Sequence, residues 1–249
     1  MRISDSIYVV GSGQFGLSSR YDCHIYALRA PHGIVIFDAG SGLKHDWVLA
    51  NLRAEFSDLS RGAIVLTHAH PDHLCGLPQL AAALGWPVIT SEQARQTVVT
   101  GDEDACGLTA TRAMGGYPPD LRLLPCPVES TYSDHLPFDA CGLTLRPIHV
   151  RGHSPDSHVF LCDLDGLRTL FSADVVFYGG VLGLINVEGS ELSGYRSDLH
   201  KLSGLGVEAL LPAHGMFTLR FGQRHIDTAL AQLNKGFTPR MVGQGDLIL

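Results

Sequence analysis

The chain has 249 residues, 45% of them hydrophobic and 17% charged, with 28 glycines, which describes a compact, loop-rich globular protein and excludes a coiled coil or a disordered tail. Its formal charge of -7 comes without any run of Lys or Arg, so no electrostatic footprint exists for gripping a nucleic-acid backbone or an anionic membrane. No uncharged apolar run approaches the roughly 20 residues a membrane span needs, and Asp5 interrupts what would be the apolar stretch of a secretory signal, so a cytoplasmic location is expected.

Taken in chain order, β-rich runs open the sequence at 7–10, 24–28, 34–37 and 63–67. Between the third and fourth, Trp47, Val48, Leu52 and Phe56 recur at helical spacing. Gly11-Ser12-Gly13-Gln14-Phe15-Gly16 has the form G-x-G-x-x-G after a strand, with Asp38 downstream, yet a dinucleotide site needs a helix opening at the glycines. Residues 20–37 instead read as strand, Pro31-His32-Gly33 turn and strand, so these glycines are expected to form a rim loop without nicotinamide or flavin. Residues 100–137 are rich in Gly, Pro and polar side chains and read as a long loop or lid.

The second half repeats the pattern. Strands are expected at 143–150, 158–161, 169–171 and 209–211, with Leu192, Tyr195, Leu199 and Leu202 at helical spacing and a helix over 226–233. The halves are alike in layout without a sequence repeat, so the expectation is mixed α/β with a single domain over 1–249 built from two sheets. The six cysteines lie far apart with no C-x-x-C pair and read as reduced thiols, mostly core. Cys75, two residues after a histidine cluster, is the one expected beside a metal without ligating it.

The chemistry concentrates where strands end. The run 63–67 leads into His68-Ala69-His70-Pro71-Asp72-His73, four candidate ligands at the mouth of a buried strand. Alternate residues of an extended turn project to one side, so His68 and His70 can reach one ion while Asp72 and His73 turn toward another. His153, Asp174 and His214 each follow an apolar strand in the same way. Five histidines with two aspartates make a nitrogen and oxygen donor set that suits zinc or iron, in a centre of two ions.

This constellation resembles the metallo-β-lactamase superfamily, whose motif H-x-H-x-D-H is matched by His68 to His73 without substitution. Phe37-Asp38-Ala39-Gly40 and Gly152-His153-Ser154-Pro155 match as well, so the resemblance covers nearly the whole chain. It implies a four-layer αββα sandwich with two mixed β-sheets and the metals at one sheet edge. It further implies that His68, His70 and His153 hold the first of two zinc ions (iron or manganese being the alternatives), that Asp72, His73 and His214 hold the second, and that Asp174 bridges them. Asp38 would then orient the 68–73 loop.

Metal-assisted hydrolysis needs no protein nucleophile, because a metal lowers the pKa of its bound water from near 16 to roughly 7. Asp72 is the candidate to orient that nucleophile or pass on a proton. Tyr178, four residues after Asp174, is a second catalytic candidate as donor to a substrate oxyanion, with packing beside Phe177 as the plain alternative. Arg151 stands where relatives commonly carry proline, and Asp156 where glycine is frequent. Arg151 reads either as a solvated loop charge or as a contact for an anionic substrate group. The remaining histidines, His149 and His158 among them, read as structural or surface residues. The segments 100–137 and 181–186 are candidates for lining a partly apolar pocket.

The expected activity is therefore hydrolysis of an ester, thioester or lactone of a small molecule, similar to glyoxalase II in ligand set, although only about 35 residues follow His214 where such enzymes add a helical extension. Relatives of this fold that carry iron and handle oxygen or persulfides give an oxidoreductase alternative, and β-lactam or phosphodiester hydrolysis and a non-catalytic sensor are others. The expected partner is a small-molecule substrate, with a homodimer compatible and neither nucleic acid nor membrane implied.

Overall fold

The structure, a computed structural model, describes residues 1–236 and 239–242. The chain divides into two compact units, Met1–Ser133 with Phe138–Thr144, and Asp134–Pro137 with Leu145–Leu249. They correspond to the two halves read from the strand distribution.

In the first unit the opening apolar runs form β1 (Ile7–Gly11), β2 (Ile25–Ala30) and β3 (Gly33–Phe37), an antiparallel meander in which Ile7 faces Leu28 and Tyr26 faces Phe37. The glycine run 11–16 is a loop closed by Leu17 N donating to Ser12 O, and the chain returns antiparallel as β2, with no helix opening at the glycines. From β3 the sheet continues in parallel through β4 (Gly62–Val65), a strand β5 (Val88–Ser91) and a strand β6 (Ser130–Tyr132), in the order β1-β2-β3-β4-β5-β6. Parallel strands are buried on both faces, which is why β3 and β4 are unbroken apolar runs in the sequence.

Parallel pairing also requires crossovers. The first is α1 (His45–Glu55), which buries Val48, Leu49 and Leu52. Phe56 is buried just past its end, but Trp47 departs from the expected apolar face: it is 47% exposed, with the Lys44 ammonium over its ring. The second crossover carries α2 (Pro71–Leu74) and α3 (Leu77–Leu84), and the third α4 (Arg95–Thr100) and α5 (Leu108–Ala113). The segment expected as one long loop thus contains α5 and β6, and β7 (Phe138–Ala140) follows it, with Phe138 stacked on Tyr132 at 5.6 Å.

The second sheet takes β8 (Leu143–His149), β9 (His158–Leu164) and β10 (Leu167–Ala173) in antiparallel succession and adds β11 (Ala209–Pro212) parallel to β10. The helices of this unit are α6 (Leu192–Asp198), continued by a 3-10 turn over Leu199–Leu202, and α7 (Gln223–Asn234). Ile148, Val159 and Leu170 from the strands pack with Tyr195, Leu199, Leu202 and Ile226 from the helical side in one core. Each such side chain removed from water contributes about 1.5–3 kcal/mol, so the helical spacing of Tyr195, Leu199 and Leu202 is a burial pattern. Both sheets are mixed and both units carry helices, as the α/β reading requires. No helix among the described residues is long and apolar enough to cross a membrane.

Candidate metal centre

In the first unit the ligand loop hangs between two fixed points. β4 runs on to Leu66, whose carbonyl accepts the Tyr132 hydroxyl at 2.7 Å, and α2 then begins at Pro71, suited to a first helical position because it lacks an N–H. His70 is extended at the N-cap, so His68 and His70 precede the helix while Asp72 and His73 ride on its single turn. That change of backbone separates the two pairs. His68 Nε2 lies 3.1 Å from His70 Nδ1, and His73 Nε2 lies 3.3 Å from Asp72 Oδ2.

Asp38 supports this arm from β3. Its carboxylate accepts Thr67 N (2.8 Å) on Oδ1, and the Thr67 hydroxyl (2.9 Å) and His73 Nδ1 (2.8 Å) on Oδ2. To reach them Asp38 takes a φ of 63°, in the left-handed region that costs a side chain energy and is found where a site needs it. Since Thr67 Oγ1 donates to Asp38, it accepts from His68 Nδ1 at 3.0 Å.

The loop that follows Asp38 is laced to the ligand arm: Ala39 N donates to His73 O and Gly76 N to Gly40 O. Asp22 secures the same loop by accepting Ser41 N at 2.7 Å, and burial raises its carboxyl pKa even though Ser18, Ser19 and Ser41 donate to it. Cys23, with no motif around it, brings its Sγ within 4.8 Å of the donor atoms of Asp38 and His73. Burial pushes its thiol pKa up, with His73 opposing, so it stays a protonated neighbour of the imidazole. Cys75 is likewise buried with its pKa raised by burial, and all six cysteines are unpaired thiols.

One more side chain reaches the arm, and sequence patterns did not reveal it. The Tyr117 hydroxyl, from the segment after α5, donates to Asp72 Oδ1 at 3.2 Å. Tyr178, the phenol expected from sequence, stands 42% exposed with its ring 4.2 Å from that of His225.

In the second unit three strand ends deliver His153, Asp174 and His214. After β8 the chain turns at Gly152, where φ is 135° and the Tyr195 ring occupies the space a Cβ would need. His153 follows, nearly fully buried, with Nδ1 donating to Gly183 O at 2.5 Å. Asp174 comes after Ala173, which sits at a φ of 45°, and its backbone carbonyl accepts the Tyr195 hydroxyl at 3.4 Å. Asp174 Oδ2 lies 3.4 Å from His153 Nε2 and 3.6 Å from His214 Nε2.

The 151–157 loop is tied down at both ends. His149 Nε2 donates to Pro155 O at 2.7 Å and His158 Nδ1 to Asp156 O at 2.8 Å, and the two rings stack at 4.7 Å. Burial lowers the His158 pKa to about 4, His149 and Lys201 reinforcing the shift and the Asp156 carbonyl and Asp134 opposing it. Arg151 is a surface charge of the loop, 52% exposed, and it is paired: its Nε and Nη2 donate to the buried Asp198 at 2.7 and 3.0 Å. Asp156 accepts the Ser154 hydroxyl at 2.7 Å within the same loop.

The donor chemistry of both sets fits metal ions. His68, His73 and His153 each commit Nδ1–H to an acceptor, Thr67 Oγ1, Asp38 and Gly183 O in turn. A neutral imidazole that donates from Nδ1 presents a lone pair on Nε2, the form a metal takes, and such partners fix ring orientation and tautomer.

Comparison with known proteins gives one consistent answer. The family model described as the metallo-beta-lactamase superfamily matches residues 19–214. A protein named atrochrysone carboxyl ACP thioesterase, from Aspergillus fumigatus, is 26% identical over 86% of this chain and 57% of its own length. A linear primary-alkylsulfatase of a Pseudomonas strain is 25% identical over 85% of this chain and 47% of its own length. The chain therefore spans about half the length of these curated relatives. Among solved structures, a metallo-beta-lactamase of Cronobacter sakazakii with a HARLDQ motif superposes with a TM-score of 0.72 at 21% identity, over 95% of this chain and 93% of that one. That likeness is one of fold.

Proposed function

The chain belongs to the metallo-β-lactamase superfamily, and from that premise we propose that it is a metal-dependent hydrolase with two ions, zinc by donor type, that cleaves a thioester, ester or lactone of a small molecule. In this reading His68, His70 and His153 hold one ion, Asp72, His73 and His214 the other, and Asp174 is shared. The observation that carries it is Asp174 itself: one carboxylate oxygen faces His153 Nε2 at 3.4 Å and His214 Nε2 at 3.6 Å, imidazoles assigned to different ions. A single carboxylate oxygen close to one imidazole of each set supports its assignment as the bridging ligand.

Two bound divalent ions would supply Lewis acidity toward the substrate oxygen and a nucleophile active at neutral pH. The protein's own groups do the rest. Asp38 and Thr67 hold His68 and His73 in the binding tautomer, and Gly183 O does the same for His153. Asp72 is the carboxylate proposed to orient the nucleophile or pass on a proton, and its Oδ1 accepts the Tyr117 hydroxyl. A full set of seven donors supports two ions rather than one. The thioesterase name of one relative supports an acyl substrate, and the alkylsulfatase name of another makes a sulfate ester the competing class.

The deciding experiment is metal content per chain by elemental analysis, joined to cleavage of thioester, lactone, β-lactam, phosphodiester and alkyl sulfate probes before and after chelation. Two zinc ions and chelator-sensitive cleavage of an acyl probe are expected. About one iron per chain with no cleavage overturns the proposal in favour of oxygen or sulfur chemistry. Cleavage of the sulfate ester alone overturns the acyl assignment.

A further inference from the structure

The 100–137 segment sends one polar side chain onto a proposed metal ligand, and it does so from a fixed platform. Past α5, Gly115 N donates to Arg112 O and Gly116 N to Thr111 O, with Gly115 at a φ of 80°, so the chain reverses tightly just before Tyr117. Arg112 pins both flanks of that reversal: Nη1 donates to Leu121 O at 2.7 Å and Nη2 to Glu103 Oε2 at 2.6 Å, while Glu103 Oε1 accepts Leu123 N at 3.2 Å. The Tyr117 ring packs beside Tyr21, 5.7 Å between centroids. The phenol is therefore held in place before it meets Asp72.

The two oxygens of Asp72 have different surroundings. Oδ1 lies 3.2 Å from the Tyr117 hydroxyl, and Oδ2 lies 3.3 Å from His73 Nε2. An ionised carboxylate only accepts, so the phenol is the donor. A donor on one oxygen stops rotation about the carboxylate axis and leaves the other oxygen facing the imidazole. We propose that Tyr117 is a positioning residue for the ion held by Asp72 and His73, fixing the Asp72 carboxylate so that Oδ2 alone is offered beside His73 Nε2. This rests on the two-ion reading above. Tyr117 is not assigned a contact with substrate.

The test is Tyr117→Phe, which keeps the ring and removes the hydroxyl, with stepwise zinc affinities measured by competition against a chromophoric chelator. Partners that orient metal ligands are worth 10–100-fold in affinity. One of the two binding steps is expected to weaken by about tenfold or more while the other holds, and the melting temperature of metal-free protein stays as in wild type. Tyr21→Phe, which retains the packing and touches no ligand, leaves both steps unchanged. Wild type that binds two ions, with a Tyr117→Phe protein that binds them equally well or loses both affinities alike, overturns the positioning role and leaves the proposed function standing. Wild type that binds fewer than two ions overturns both.

Discussion

His73 Nδ1 lies 2.8 Å from Asp38 Oδ2, so an imidazole on a one-turn helix is fixed by a carboxylate 35 positions earlier in the chain. The same carboxylate takes the amide and hydroxyl of Thr67, at the other end of the ligand arm. Asp38 thus restrains both ends of the 68–73 loop.

Replacing Asp38 by Ala leaves three buried donors without this acceptor. A buried polar group deprived of its partner costs about 1–3 kcal/mol, and with some compensation by water the whole substitution is expected to cost about 3 kcal/mol. At roughly 2–4 °C per kcal/mol for a chain of this size, metal-free Asp38→Ala protein melts about 10 °C lower. Asp38→Asn keeps the volume but offers an amide in place of one oxygen, so it retains more stability and still loses zinc affinity. Thermal unfolding of the metal-free proteins checks this, and an Asp38→Ala protein that melts with the parent refutes it.

Gly183 supplies the carbonyl that fixes His153, and a Cβ at position 183 would collide with the Asp174 carbonyl oxygen. Gly183→Ala must therefore push the 181–186 segment away and release the His153 ring. A loss of about 2–3 kcal/mol is expected, in the range typical of a core clash. The Gly85→Ala variant, whose added Cβ would meet nothing within 4 Å and which carries only the backbone strain of a φ of 67°, serves for comparison in chemical denaturation. Equal, small losses in both variants would remove Gly183 from this role.

Stability is expected to fall on acidification in a particular window. The His158 pKa is lowered from 6.5 to about 4 in the folded protein. The unfolded chain then binds a proton that the folded chain refuses, so the His158 contribution is fully present above pH 6.5 and is lost as pH falls toward 4. The change amounts to a few kcal/mol at most. Urea unfolding at pH 7.5 and pH 5 measures it: wild type loses more stability between the two than His158→Gln does. Identical pH profiles for the two proteins would contradict the assignment.

Much of this was legible in the sequence, and what was not has a physical reason. The runs that became β1, β3 and β4 are apolar because both faces of the strand are covered, and such runs announce themselves. β5, β6 and β7 have only 4, 3 and 3 residues and carry no period long enough to read. α3 (LPQLAAAL) has little polar face, and α5 lies in a stretch whose glycines and prolines suggested loop. Trp47 fits the spacing of its buried neighbours yet faces solvent, since spacing alone does not set the edge of an apolar face.

The seven donors stood out because four fall within the six residues 68–73 and three end apolar strands. Cys23 and Tyr117 did not, because each meets the ligand arm at a sequence distance of about 45–50 residues with no local pattern to mark it. Arg151 was readable as a charge, but its partner Asp198 lies 47 residues away on the last turn of α6.

The imidazole anchors have one more consequence. Rings held at Nδ1 by Thr67, Asp38 and the Gly183 carbonyl have lost their conformational entropy when the chain folds. An arriving ion meets side chains already preorganised and spends little of its association free energy on ordering them. On the proposed function, folding and metallation would be separable events, unlike those of a zinc finger, which is unfolded without its ion. If the proposed function holds, chelation is expected to remove the ions while the backbone keeps its shape, so that different divalent ions could be exchanged through one folded preparation.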